Sequence, residues 1–157
     1  MNTDCVFFGK RGNYTEEDFK DGENFYDKFK ALGELDDGKN ITLRNSIVGP
    51  NINPNGIGLL NWFMKQESQV NGFTKVMWTG QTTLQLAKTM EVAATEKAHG
   101  LYNTVPDTSI SKYELLKLFN HYMRNDKLTI NPVAGVIAEL SVWMKSHKDL
   151  YPHHKIY

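Results

Sequence analysis

The stretch Asn24-Phe25-Tyr26-Asp27-Lys28-Phe29-Lys30-Ala31-Leu32-Gly33-Glu34-Leu35 reads as a helix lying between two apolar runs, Cys5-Val6-Phe7-Phe8 and residues 41–48. The first run is short, β-prone and stopped by Gly9, so it is expected to form a buried strand with Cys5 in the core. A polar loop over residues 9–21 leads into the helix, Asp37-Gly38 ends it, and residues 41–48 are expected to form the next strand. Strand, helix and strand in that order are what crossover connections produce when they feed one sheet, which places the chain in the α/β class.

Outward from this unit the alternation continues. Gly49-Pro50-Asn51 and Asn53-Pro54-Asn55-Gly56 form a turn-rich loop, after which Leu59, Leu60, Phe63 and Met64 recur at helical spacing. Val76-Met77-Trp78 reads as a strand, and Thr82 with Gln85 opens a helix running to about Lys97. Leu101-Tyr102-Asn103-Thr104-Val105 reads as another strand. Ser111 and Glu114 form a capping box before Leu115, Leu118, Phe119 and Tyr122, which share one helical face. Asn131 and Pro132 read as the N-cap and first residue of a last helix carrying Val133, Val136, Ile137, Leu140 and Met144.

With 157 residues, 40% hydrophobic and 23% charged, the chain is expected to form a single domain over residues 1–157. Eighteen Lys plus Arg balance eighteen Asp plus Glu, so there is no basic field to attract nucleic acid. Cys5 is the single cysteine, which excludes an internal disulfide and fits a reducing compartment. No run approaches the length that crosses a bilayer and residues 1–4 do not resemble a signal peptide, so a cytoplasmic location is expected. His147, His153 and His154 have only partial metal-ligand spacing and read as solvated residues; no metal is expected.

Tyr26 and Lys30 lie four residues apart and therefore share one face of the helix. A phenol is a weak acid, but a neighbouring ammonium favours its phenolate, and a tyrosine so placed can exchange a proton with a carbonyl oxygen. Tyr-x-x-x-Lys alone is common. It occurs here in order after Thr3-Asp4-Cys5-Val6-Phe7-Phe8-Gly9 and Gly12-Asn13-Tyr14-Thr15-Glu16-Glu17. It precedes Leu43-Arg44-Asn45-Ser46-Ile47-Val48-Gly49-Pro50, Gly58-Leu59-Leu60-Asn61-Trp62-Phe63, Trp78-Thr79-Gly80-Gln81-Thr82-Thr83-Leu84 and Gly100-Leu101-Tyr102-Asn103.

This ordered set resembles the extended short-chain dehydrogenase/reductases, and within them the dTDP-4-dehydrorhamnose reductase group. The resemblance covers the C-terminal half of such an enzyme. It implies a truncated Rossmann-like fold: a partial parallel sheet with flanking helices over residues 1–50, then a small substrate-binding region over residues 51–157. It further implies Tyr26 as proton donor to a sugar ketone, Lys30 as its partner and a contact to the nicotinamide ribose, and Thr3 as a hydrogen-bond partner of the substrate oxygen. Arg44, Asn45 and Asn51 would border the pocket for a nucleotide-linked sugar. Trp62 and Trp78 would either border the base or sugar, or pack in the core.

The cofactor implied is NADPH or NADH, yet no glycine-rich turn after a first strand is present to receive its pyrophosphate. Gly56-Ile57-Gly58 runs into Leu-Leu-Asn and follows a Pro/Asn loop, so it is not that fingerprint. The region between Asn125 and Val133 is also shorter than the resemblance implies before a terminal helix like Trp143-Met144-Lys145-Ser146-His147-Lys148. Exposed strand edges and apolar surface are therefore expected, covered by a homo-oligomer or by a separately encoded N-terminal half. Three functions follow: a reductase completed by another chain, a non-catalytic sugar-nucleotide binder or regulatory module, or a remnant without activity.

Overall fold

The computed structural model describes residues 1–53, 55–56, 58–134 and 144. In chain order the elements are β1 (Asn2–Thr3), a 3₁₀ turn (Asp4–Val6), α1 (Phe25–Leu32), β2 (Ile41–Asn45), β3 (Ile47–Val48), α2 (Leu59–Met64), β4 (Gln69–Phe73), β5 (Met77–Trp78), β6 (Gln81–Thr82), α3 (Thr83–Thr95), β7 (Gly100–Asn103), β8 (Ile110–Ser111), α4 (Lys112–Arg124) and β9 (Thr129–Val133). β2 is the centre of an all-parallel sheet in the order β1-β2-β7, with Leu43 opposite Tyr102. Three two-stranded ladders complete the pairing, β3 with β6 and β4 with β9 in parallel, and β5 with β8 antiparallel. The α/β expectation holds.

The helices start where their caps dictate. The Asn24 side chain accepts the Asp27 N–H and the Asp27 carboxylate accepts the Asn24 N–H, closing the first turn of α1. Ser111 and Glu114 make the same reciprocal pair at α4, and Thr82 caps α3 through the Gln85 N–H. At the far end of α4, Arg124 donates to the carbonyls of Phe63, Met64 and Gln66, satisfying orphan acceptors where α2 ends.

Four local expectations are corrected. The run Cys5-Val6-Phe7-Phe8 is not a strand: the Thr3 hydroxyl accepts the Cys5 N–H at 3.2 Å and turns the chain into the 3₁₀ segment, leaving β1 with two residues. Val6 and Phe7 are buried, but Cys5 is exposed rather than in the core. Residues 41–48 form two strands, because the chain leaves the main sheet at Ser46 and β3 pairs elsewhere. Asn131 and Pro132 lie in β9, not at a helix start; the β-prone Thr129, Ile130 and Val133 outweigh the capping signal, and proline is tolerated because the ladder has only two strands. The partner strand β4 had no expectation attached to it. The rest of the helix expected there, residues 135–148 apart from Met144, lies outside the described residues.

Two apolar clusters hold these elements. Leu60 and Phe63 from α2, Val70 from β4, and Leu115, Leu116 and Phe119 from α4 pack with Leu128. Val6, Phe7, Tyr14 and Met144 form the other, with the Phe7 and Tyr14 rings stacked 4.4 Å apart.

Beside the second cluster lies a buried ion pair. Arg44, only 1% exposed, donates from Nε and Nη2 to the two carboxylate oxygens of Glu34 at 2.6 and 2.8 Å, and its guanidinium lies 5.0 Å from the Phe7 ring centre. Burial pushes the Glu34 carboxyl up, but hydrogen bonds from Arg44 and Lys20 together outweigh it and hold it below its ordinary value of 4.5. Because the folded value lies below the unfolded one, this stabilisation is present above the ordinary range and is lost as pH falls through the folded value. Arg44→Met, which leaves the carboxylate only its Lys20 and Asn2 contacts, is expected to cost about 1–3 kcal/mol in urea unfolding at pH 7. The difference from wild type should shrink on acidification; an unchanged midpoint would contradict this role for the pair.

Candidate functional site

Tyr26 and Lys30 project from α1 on the same face, with the Lys30 ammonium 5.9 Å from the Tyr26 ring centre. Tyr26 is 54% exposed. α1 packs on the 3₁₀ turn that follows Thr3, and the Asn2 side-chain amide donates to the Lys30 carbonyl at 3.0 Å and to Glu34 Oε1 at 2.7 Å. These bonds fix the Lys30 turn of the helix against the strand that ends in Thr3. The Thr3 hydroxyl accepts from the Cys5 N–H and donates to Asp4 Oδ1 at 3.2 Å. The structure thus packs α1, which bears Tyr26 and Lys30, against the segment that follows Thr3.

The remaining residues singled out from sequence are distributed differently. Arg44 is held by Glu34 in the interior, and Asn45, 4% exposed, donates to the carbonyls of Asn2 and Leu43. Both side chains are engaged with protein partners that stitch β1, β2 and α1 together. Asn51 is exposed in the loop after β3, where its side chain accepts the Asn53 N–H. Trp62 stands on α2, 43% exposed. The Trp78 indole donates to Ser46 Oγ at 2.8 Å, bridging β5 to the break between β2 and β3.

Two hollows flank α2 and share Leu59. The smaller, about 360 Å³, follows the end of β3 and is bordered by Gly49, Pro50, Asn51, Gly58 and Thr83. The larger, about 440 Å³, is bordered by Trp62, Val70 and Leu116 together with the polar residues Gln69, Asn71 and Lys112. Both fall in the size range of small-molecule sites. Lys112, read from sequence as a surface residue, was not foreseen here; it enters the hollow because α4 packs against β4, a contact no local pattern encodes.

A Cβ on Gly56 would collide with the Asn51 side chain, so this glycine answers a packing demand inside its own loop. Gly58 precedes a helix of six residues that does not follow directly on a strand. Among the described residues no helix is long and apolar enough to cross a membrane.

Gly80 controls the position of Trp78. A Cβ there would collide with the indole and lie 2.7 Å from the Ser46 carbonyl oxygen. Gly80→Ala is therefore expected to expel the indole from Ser46, costing about 1–3 kcal/mol and altering the near-ultraviolet circular dichroism. A superimposable spectrum with unchanged stability would refute this packing.

No protein-family model and no curated protein matches the chain. Solved structures do. A dTDP-4-dehydrorhamnose reductase from Bacillus anthracis in complex with NADP superposes with a TM-score of 0.74 at 22% identity, over 94% of this chain and 56% of that one. A hypothetical dTDP-4-dehydrorhamnose reductase from Sulfolobus tokodaii gives 0.72 at 22% identity, over 95% and 60%. The reductase from Yersinia enterocolitica gives 0.72 at 18%, over 93% and 56%. The chain thus spans little more than half the length of these proteins. With its parallel sheet, flanking helices and these superpositions, the chain has a mixed α/β fold similar to part of the Rossmann-like fold of solved dTDP-4-dehydrorhamnose reductases.

Proposed function

We propose that this chain is the sugar-nucleotide side of a reductase of the dTDP-4-dehydrorhamnose reductase type, acting only when a nicotinamide cofactor is seated by material outside these 157 residues. The observation that carries the reading is the Tyr26–Lys30 pair, with the ammonium 5.9 Å from the phenol ring and the helix pinned to the strand that presents Thr3. Tyr26 would give its hydroxyl proton to the sugar ketone, Lys30 would hold positive charge beside it and reach the nicotinamide ribose, and Thr3 would hydrogen-bond the same oxygen. The hydride would be supplied by NADPH or NADH seated by that outside material; NADP in the Bacillus anthracis structure supports this choice of cofactor class.

The hollows beside α2 accommodate the rest of the ligand. Trp62 offers a flat face to a base, Lys112 one positive charge to a diphosphate, and the loop at Asn51 a polar wall to the sugar. Arg44 and Asn45 serve this pocket from behind, by holding the strand that leads to it.

Coverage from outside is supported by the surface of α1. Of its eight residues only Asp27 is buried, while Phe25 and Leu32 are 76% and 81% exposed and the Phe25 and Phe29 rings touch. An apolar face of this kind marks an interaction site. Among the described residues β1 pairs with β2 alone, leaving a parallel edge open. A second copy or a separate chain would cover them.

Calorimetric titration separates reductase, binder and remnant. We expect dTDP-glucose to bind the isolated chain, NADPH alone not to bind, and Trp62→Ala to weaken the sugar nucleotide about tenfold. Absence of binding by any dTDP-sugar would sink the proposal, and tight NADPH binding would overturn the need for an external cradle. In any preparation that reduces a 4-keto sugar nucleotide, Tyr26→Phe should lower kcat by about 10²–10⁴ with KM little changed. Unaltered turnover would remove Tyr26 from the reaction.

A further inference from the structure

The chain holds two asparagine–glycine pairs, Asn55-Gly56 and Asn71-Gly72. In such a pair the side-chain amide is open to attack by its own backbone, because glycine sets no Cβ in the way and leaves the chain free to turn. The glycine nitrogen bonds to the asparagine Cγ, the Cγ–Nδ2 bond breaks, and Nδ2 leaves as ammonia, taking the proton that the glycine nitrogen loses. Water then opens the cyclic imide at either carbonyl. One opening gives aspartate; the other gives isoaspartate, in which the main chain runs through the former side chain. Water is consumed, ammonia is released, and nothing is oxidised or reduced.

The tertiary structure treats the two pairs differently. Gly72 is buried in β4 opposite Pro132 of β9, and a Cβ on it would lie 2.8 Å from the Tyr113 ring and 2.9 Å from the Tyr113 Cα. With β9 beside it and α4 against it, this glycine cannot swing its nitrogen towards the Asn71 side chain unless the ladder opens. Asn55 is exposed, in the loop before α2. It is held only from within that loop: Asn53 Oδ1 accepts the Asn55 N–H at 2.9 Å, and the Asn53 carbonyl accepts the Gly56 N–H at 2.8 Å. Releasing these two bonds disturbs no residue of the core, so the reactive geometry is reached by a local opening.

We propose that Asn55 is a self-modification site, converted to aspartate or isoaspartate by attack of Gly56, and that the conversion is passed through Asn51 to the smaller hollow. Asn51 borders that hollow. Its side chain lies so close to Gly56 that a Cβ there would collide with it, and its Oδ1 accepts the Asn53 N–H at 3.0 Å. Asn61 on α2 ties the same loop down, its Oδ1 accepting the Asn51 N–H at 3.3 Å and its Nδ2 donating to the Asn53 carbonyl at 3.4 Å. Isoaspartate lengthens the main chain between positions 55 and 56, at the point where Gly56 meets Asn51, so the Asn51 side chain must give way. Either product also adds a negative charge beside a hollow assigned to an anionic ligand. This consequence for the ligand rests on the function proposed above; the modification of Asn55 does not.

Incubation of the full chain at mildly alkaline pH, followed by peptide mapping with electron-transfer fragmentation, tests the site without any ligand. In the folded chain Asn55 should convert at least about tenfold faster than Asn71, and in urea the two rates should come within about threefold of each other. Both aspartate and isoaspartate should form at position 55. Asn55→Gln, whose longer side chain closes its ring far more slowly, should leave that position unchanged. Equal rates at Asn55 and Asn71 in the folded chain would overturn the proposal. So would an Asn55 that stays intact in the folded chain over a time in which it converts in urea.

The link to the hollow is read by titrating chromatographically separated forms. The isoaspartyl chain should bind dTDP-glucose about tenfold more weakly than the fresh chain, and Asn55→Asp, which adds the charge but keeps the main-chain length, about threefold more weakly. Asn55→Gln should stay within about twofold of the fresh chain. Equal affinities of the fresh and isoaspartyl chains would refute the link. If the fresh chain does not bind dTDP-glucose, the proposed function fails and the link falls with it, whereas the peptide map still judges the modification of Asn55.

Discussion

The fold is organised around Arg44 and its bidentate contact with Glu34. An uncompensated guanidinium cannot remain in an apolar interior, so the segment carrying Glu34 must lie against the middle strand of the sheet. Glu34 follows α1 directly, and the same carboxylate accepts from Asn2 on β1 and from Lys20 in the preceding loop. One acidic side chain thus brings together the central strand, the edge strand and the helix that bears Tyr26 and Lys30. Arg44 also reaches the Asn103 side chain of β7 at 3.5 Å, so all three strands of the parallel sheet converge on it.

This arrangement gives the polar interior a direct bearing on the proposed chemistry. Tyr26 and Lys30 would be merely two surface side chains if α1 could slide. The buried pair and the Asn2 bond to the Lys30 carbonyl fix its rotation and height relative to Thr3. The other face of the helix shows the opposite character, since apolar rings stand in solvent where a globular protein would bury them. A rigid, polar inner attachment and an uncovered apolar outer face make this helix a junction between the described residues and whatever completes them.

How much of this was legible differs from residue to residue. The helix at Tyr26 and the capping boxes at Ser111 and Asn24 arise from short-range hydrogen bonds, and the first two were readable in the amino-acid order. The strand expected at Cys5 failed because Thr3 uses its hydroxyl to turn the chain, a competition between a side chain and the extended backbone that apolar content does not reveal. Asn131-Pro132 failed for a related reason: the same two residues suit a helix start or an edge strand, and pairing with β4 decided between them. Arg44 entered the expected pocket through the family resemblance, and its pairing with Glu34, ten positions away, which lets a guanidinium be buried, could not be read from the chain order.

By itself the sequence determined the α/β alternation, the helix carrying Tyr26 and Lys30 on one face, and the likeness to sugar-nucleotide reductases, because each depends on spacing or order along the chain. Tertiary structure alone decided that Arg44 and Asn45 face inward, that Lys112 joins Trp62 at a hollow beside α2, and that the Trp78 indole is held by Ser46. Those outcomes depend on which distant donors and acceptors find each other once water is excluded, and a buried polar group accepts whichever partner the packing delivers.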